Sequence, residues 1–484
     1  MLASFYQTLE ELYLLTKTSY LLGWDQQVCM PKGGAELRGK KLAYLAKLRH
    51  EKITDSAFVN LVHELSEQPL AGRDAINVRE IKRDIEKLTK LPKELVSQKT
   101  YASSVAMTAW EQARAENNFA AVLPHLEKLV GLARQEIDCL GYVDNPYDAL
   151  IDYYEPQTTI KDIKPLLLRL AEKLEPVIAQ ALERSESMQP ITGVFPIEKQ
   201  VSLSKCMLEK LGYSWQRGRL DTVTHPFECN IGFQDVRITT RYTEEDYLSS
   251  IMTALHEMGH AFYELGFDPE TEGTPMGEAI SMSIHESQSL FWEGIVGRRK
   301  SFCEFLASLA KDYFPKDCKA EDIWNHINRV ERSLIRVEAD RVTYSLHIVI
   351  RMLLEEQLLN AQLEVKELPD AWNALYEKHL GLRPESNRLG VLQDVHWYSG
   401  SFGYFPSYAL GHLYAAMFFE SFEDEMGPVD DFISRGDFLG ITKWLNENIH
   451  VHGKTYTPQA LVKKVTGKEL TEDSFVNYLV AQYS

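Results

Sequence analysis

Residues 255–264 read Leu255-His-Glu-Met-Gly-His-Ala-Phe-Tyr-Glu264, with two histidines four positions apart and a glutamate directly after the first. Around them Ile251, Leu255, Met258, Phe262 and Leu265 recur at three- and four-residue intervals, which predicts an amphipathic helix. On that helix His256 and His260 stand one turn apart on one face, so both imidazoles can reach a single tetrahedral zinc ion. Glu257 is turned by ~100° from His256. It therefore stands beside an attacking water, as a base, rather than on the metal. His-Glu-x-x-His can also arise by chance among 14 histidines in 484 residues, so the helical setting gives the pattern much of its weight.

Zinc needs a third protein ligand and one open position. The stretch Gly277-Glu-Ala-Ile-Ser-Met-Ser-Ile-His-Glu-Ser-Gln288 reads as a second helix that returns after a loop. It offers Glu286, Glu278 and His285, and spacing alone does not choose among them. The two residues not on the metal then serve as a helix cap or as hydrogen-bond partners of the ligands. Glu264, one turn beyond His260, is either another such partner or a solvated surface residue.

Outward from this motif most of the chain has helical periodicity. Phe5, Leu9, Leu12, Tyr13, Thr16 and Tyr20 mark a first helix, interrupted at Gly23 and at Pro31-Lys-Gly-Gly. Further helices are expected over 35–50, 55–66, 73–90, 93–116, 118–140, 160–186 and 196–211, with a connection over 146–159. Between Arg217 and Tyr242 the composition shifts to Thr, Val and Ile, predicting short strands over 219–224, 227–231 and 235–242 in one small antiparallel sheet. From Glu244 the pattern is helical almost to Ser484. The fold class expected is mostly α, with that sheet directly before the zinc helix. Length alone suggests about three domains, yet no linker separates them. One domain over 1–484, built as two packed helical lobes, is the expectation.

The balance of 52 Lys and Arg against 70 Asp and Glu gives a net charge of −18. That surface argues against nucleic acid and against anionic membranes. No apolar run approaches the ~20 residues of a membrane span. The first residues lack the basic and apolar regions of a secretory signal. Cys29, Cys139, Cys206, Cys229, Cys303 and Cys318 are scattered, with no Cys-x-x-Cys pair, and read as buried thiols in a reducing cytosol.

Five segments, in order, carry a resemblance. They are Asp235-Val-Arg-Ile-Thr, the His256–His260 motif, His285-Glu-Ser-Gln, Ile335-Arg-Val-Glu-Ala-Asp and Gly390-Val-Leu-Gln-Asp-Val-His-Trp. With Trp24-Asp-Gln-Gln, Met30-Pro-Lys-Gly and Gly403-Tyr-Phe-Pro-Ser-Tyr-Ala-Leu-Gly, the chain resembles the carboxypeptidase Taq family of zinc metallocarboxypeptidases over nearly its whole length. The resemblance implies a helical fold with a deep central groove between the lobes, related to the gluzincins of the neurolysin and angiotensin-converting-enzyme type. It also implies a cytoplasmic homodimer, one Zn2+ per subunit, and removal of C-terminal residues with broad tolerance. It selects Glu286 as the third ligand. Co2+ and Mn2+ are possible substitutes, since the same N/O donors serve them.

The remaining motifs then acquire candidate roles. A strand's period of two puts Asp235, Arg237 and Thr239 on one face, where Arg237 either meets the substrate's terminal carboxylate or pairs with Asp235. Arg336 and Asp340, four apart on an expected helix, make Arg336 a bidentate carboxylate fork held by Asp340, ahead of Arg341 and Arg351. His396 is a candidate donor to the oxyanion. Analogy with related helical gluzincins adds Tyr408, then Tyr404, expected on a loop lining the groove. The expected reaction is hydrolysis of the C-terminal bond of a peptide with a free C-terminus. The rivals are an oligopeptidase or dipeptidyl carboxypeptidase on the same fold and, further off, a non-catalytic zinc-binding scaffold.

Overall fold

The computed structural model describes residues 1–314 and 319–483. The chain opens with helix α1, Leu2–Val28, which runs unbroken through Gly23. Helices Ala35–Ile53, Ser56–Ser66, Gly72–Lys90, Lys93–Glu116, Phe119–Leu140, Ile160–Ser185 and Ile197–Leu211 follow, close to their expected bounds. Strong apolar stripes, such as Leu166, Leu167, Leu170, Leu174 and Ile178, are buried as the 3.6-residue period requires.

The strands are β1 Leu220–Thr222, β2 Glu228–Gly232 and β3 Asp235–Thr240, in the order β1-β3-β2. The expected antiparallel sheet is in fact mixed. Only two residues separate β2 from β3, which forces that pair antiparallel, while β1 lies parallel to β3 with Leu220 opposite Ile238. A parallel pair needs a crossover of about a dozen residues, and the span from 223 to 234, which includes β2, provides it.

Four later helices carry the site: α2 Tyr247–Leu265, α3 Met282–Leu290, α4 Tyr344–Leu359 and α5 Phe405–Met426. Asp246 starts α2 by accepting from the Leu248 and Ser249 amides at 2.9 and 3.2 Å. The second helix of the motif is shorter than its pattern suggested. Pro275–Gly277 form a single 3-10 turn, Glu278 is extended, and the Ser281 hydroxyl caps α3 through the Ile284 amide at 3.1 Å.

Most buried apolar residues form one continuous core, and a smaller cluster joins Phe5, Leu9 and Leu12 of α1 to Phe58, Val62 and Ile81. Lys17 bridges from α1 to the Asn230 carbonyl of β2 at 3.0 Å, and the Tyr13 hydroxyl donates to Glu272 at 2.8 Å. The first helix is thereby tied against the segment around the metal motif. Among the described residues no helix is long and apolar enough to cross a membrane. Of the described cysteines only Cys303 is buried; Cys29 is exposed and Cys139, Cys206 and Cys229 are half-buried, all as free thiols. Cys318 lies outside the described residues.

Candidate metal centre

Helices α2 and α3 meet where α2 carries Gly259. A Cβ there would stand 2.5 Å from Ser289 Cα and 2.6 Å from the Gln288 carbonyl oxygen. The absent side chain lets the two backbones touch and brings Glu286 beside the histidines. From the other side α5 approaches through Gly411, against the Glu286 side chain. A π-helical turn, Phe291–Val296, follows α3 directly; such turns often accompany functional sites.

The donor atoms of His256, His260 and Glu286 lie within 4.8 Å of one another. His256 Nε2 is 4.0 Å from Glu286 Oε1, and His260 Nε2 is 3.7 Å from Oε2. A tetrahedral ion at ~2.0–2.2 Å from its ligands holds donors about 3.3–3.6 Å apart, so a small inward movement closes the site. The imidazoles cross at 82° with centroids 4.9 Å apart. His260 Nδ1 faces the His285 carbonyl oxygen at 3.0 Å. Donation there places the proton on Nδ1 and leaves Nε2 as a lone-pair donor facing Glu286. The set therefore fits a divalent ion.

Burial, together with neighbouring His285 and His256, holds His260 well below the ordinary histidine range. Burial also raises the Glu286 carboxyl. His256 is raised despite its burial, by Glu286 and Glu257. Glu257, 7% exposed, is pushed up to about 7 by burial and by Glu286, against the pull of His256. It is a carboxyl held in a dry setting without a salt-bridge partner among the described residues.

The two rivals for the third ligand are engaged elsewhere. Glu278 pairs with Lys454. The His285 ring stacks on His260 at 4.3 Å and turns Nε2 toward Glu264 at 3.2 Å. Glu264 is thus a partner of His285, and also accepts from the Asn230 amide.

Arg336 lies in a 3-10 turn, Arg336–Glu338, flanked by extended residues, and not on a helix. Positions four apart therefore share no face, and Asp340 does not hold it. Asp340 instead accepts from the Val342 and Thr343 amides at 2.8 and 3.0 Å, just before α4. The partner of Arg336 is Asp394, which accepts from Arg336 Nε at 2.9 Å and from Arg351 Nε at 2.6 Å. Despite burial, Arg351 and Arg336 hold the Asp394 carboxyl well below the usual range. Arg336 Nη1 donates to the Tyr344 hydroxyl at 2.8 Å, and its guanidinium lies 5.2 Å from the Tyr408 ring centre.

Tyr404 and Tyr408 are not on a loop. Tyr404 directly precedes α5 without a capping side-chain bond, Pro406 occupies the first turn, and the two rings pack at 5.0 Å one turn apart. His396 Nε2 faces the Tyr408 hydroxyl at 3.4 Å. Burial and the nearby arginines push His396 down to about 4, against the pull of Asp394, so it is neutral near pH 7.

On β3, Arg237 grips Asp235 through two bonds of 2.8 and 2.6 Å and stacks on Trp24 at 4.3 Å. Thr239 is fully buried and bonds the Phe227 carbonyl at 2.9 Å, so it ties the sheet together instead of facing a ligand. Tyr344 and the two glycines escaped the sequence reading. Nothing local marks them, because their roles arise only from helix crossings.

A helical protein that turns two imidazoles and a carboxylate onto one point, and keeps a spare carboxylate beside them, has the apparatus of a metallopeptidase. The chain belongs to the carboxypeptidase Taq (M32) metallopeptidase family, which matches residues 4–483. It is 39% identical to thermostable carboxypeptidase 1 of Thermus thermophilus over 97% of this chain and 96% of that one. It is 37% identical to carboxypeptidase 1 of Bacillus subtilis, covering 99% and 97%. The crystal structure of the M32 carboxypeptidase from Deinococcus radiodurans superposes with a TM-score of 0.96 at 35% identity, covering 99% and 98%. That of Pyrococcus furiosus carboxypeptidase gives 0.97 at 34%, covering 100% and 98%. The chain is a metallocarboxypeptidase of this family, whose chemistry requires a divalent ion.

Proposed function

We propose that His256, His260 and Glu286 hold one Zn2+ per subunit and that the enzyme removes C-terminal residues from peptides with broad tolerance. The observation that carries this is the setting of His260, whose Nδ1 lies 3.0 Å from the His285 carbonyl oxygen while Nε2 faces Glu286 at 3.7 Å. Bound zinc supplies Lewis-acid activation of water and carbonyl, and Co2+ or Mn2+ replaces it in vitro. Glu257 takes the proton of the attacking water and passes it to the leaving amine. Tyr408 and Tyr404, with neutral His396, donate hydrogen bonds to the oxygen on which charge develops.

The free C-terminal carboxylate is met by Arg336 or Arg237, with Asp235 holding the latter. Arg336 spends Nε and Nη2 on Asp394 and Nη1 on Tyr344. Its further role is to position Tyr344 and Tyr408. The chain works as a cytoplasmic homodimer whose two helical lobes flank a central groove, as in the gluzincins of the neurolysin type. Metal analysis joined to mass spectrometry of products tests the reading. One zinc per chain and a ladder shortened from the C-terminus are expected. Equal cleavage of an amidated peptide would point instead to an oligopeptidase.

A further inference from the structure

A cavity of about 520 Å3 lies between α1 and the segment that carries the metal ligands. Tyr13, Lys17 and Tyr20 of α1 line one side, and Glu228, Asn230 and Glu264 line the side toward the metal. The two sites share a wall. Glu264 follows His260 by one turn of α2, and His285, stacked on His260, faces Glu264 Oε1 at 3.2 Å and Glu228 Oε2 at 3.8 Å.

Charge in this cavity is unbalanced. Apart from Glu278, which pairs with Lys454, its lining carries Asp84, Glu228 and Glu264 against Lys17 and Arg49. The Glu228 and Glu264 oxygens and His285 Nε2 lie within 4.8 Å of one another. Burying two carboxylates together is costly unless a cation joins them or one of them takes up a proton. Glu228 is 9% exposed at its side chain and its Oε1 has no partner. Asn230, 5% exposed, leaves Oδ1 unpartnered as well. Lys17 does not fill the need, since its ammonium donates to the Asn230 carbonyl and forms no ion pair among the described residues. It rests 5.4 and 5.3 Å from the Tyr13 and Tyr20 ring centres, which shows that these faces accommodate a cation. The volume exceeds what a bare ion requires and suits a long side chain.

We propose that this cavity is a subsite for an organic cation of the peptide substrate, an ammonium or guanidinium seated between Glu228, Glu264 and the Asn230 Oδ1 with its stem against Tyr13 and Tyr20. The inference rests on the chain acting as a peptidase. A wild-type enzyme that cleaves no peptide would remove that premise, whereas one that cleaves without regard to charge removes only the subsite.

The test uses the zinc-loaded enzyme and peptide pairs that differ by lysine against norleucine at one position, moved along the peptide, each with a free and an acetylated N-terminus. The quantities read are two kcat/KM ratios, lysine against norleucine peptide and free against acetylated N-terminus. Wild type is expected to favour the cation, either at one side-chain position or through the free N-terminus, and the two arms tell these sources apart. Glu228→Gln is expected to lower the ratio that shows this preference about tenfold, as for a buried charge-assisted bond. Lys17→Met removes a competing charge and is expected to raise it about threefold, so the test survives if one variant fails to fold. Wild-type ratios near one for both comparisons, or ratios unchanged by both substitutions, overturn the proposal. So does a second tightly held metal equivalent that disappears with Glu228→Gln.

Discussion

Gly411 on α5 lies so close to Glu286 that a Cβ at this position would stand 2.7 Å from the Glu286 Cγ. The proposed third metal ligand is therefore braced from behind by bare backbone, and its direction depends on the absence of a side chain on a helix much further along the chain. Gly411→Ala should push Glu286 aside. We expect about 1–3 kcal/mol of destabilisation from overpacking and weaker retention of metal, read by thermal unfolding of the metal-loaded protein and by dialysis against a chelator. Unchanged metal retention would show that the helix crossing tolerates the methyl group.

Glu257 adjoins the proposed ligand His256 and is the proposed base. Glu257→Gln is isosteric and should retain metal in full while losing about 10²–10⁴-fold in kcat, the range for removing a general base. Metal analysis and turnover on one sample decide it. Loss of metal together with activity would instead make Glu257 part of the binding site.

Asp394 ties together Arg336 and Arg351, both buried. Removing the shared carboxylate leaves two guanidinium groups without their counter-charge. Asp394→Asn should cost about 3–5 kcal/mol, as for breaking a buried pair, measured by denaturant titration. A loss below about 1 kcal/mol would mean that the network is solvated.

Acid should destabilise the fold through buried neutral histidines. His450 is fully buried, with Nε2 facing Gln288 Oε1 at 2.8 Å, and burial pushes it down to about 3. In the unfolded chain it titrates near ~6.5. Between those values the unfolded state binds the extra proton, so the stability tied to His450 is complete above ~6.5 and drains as pH falls toward about 3. His412, pushed to about 3, and His396, pushed to about 4, act in the same sense. His450→Gln should flatten the fall of stability between pH 6 and 4 by up to ~1.4 kcal/mol per pH unit. Parallel stability curves for variant and wild type would contradict this.

The two arginine candidates separate by one comparison. The residue that meets the terminal carboxylate should, when changed to methionine, lose most of the enzyme's discrimination between a free and an amidated peptide. That loss should exceed about tenfold for a bidentate contact. Arg237→Met and Arg336→Met assayed on both peptides identify it. If both variants keep full discrimination, the carboxylate is held elsewhere.

His256, Glu257 and His260 were legible without any coordinates, because an α-helix sets ~1.5 Å and ~100° per residue whatever surrounds it. The same periodicity located the main helices through residue 211 within a few residues. Glu286 needed the resemblance, since nothing in its own spacing separated it from Glu278 and His285. Where spacing was read on an element that does not form, it misled. Arg336 and Asp340 look like neighbours on a helix, yet Arg336 begins a 3-10 turn that ends before Asp340, and the true partner, Asp394, lies 58 positions on. Glu228, Glu264 and His285 likewise come from a strand and two helices. Such meetings are decided by which backbones can approach, at Gly259 and Gly411 above all. Close packing of whole elements is a property of the assembled core, and no local stretch of sequence encodes it.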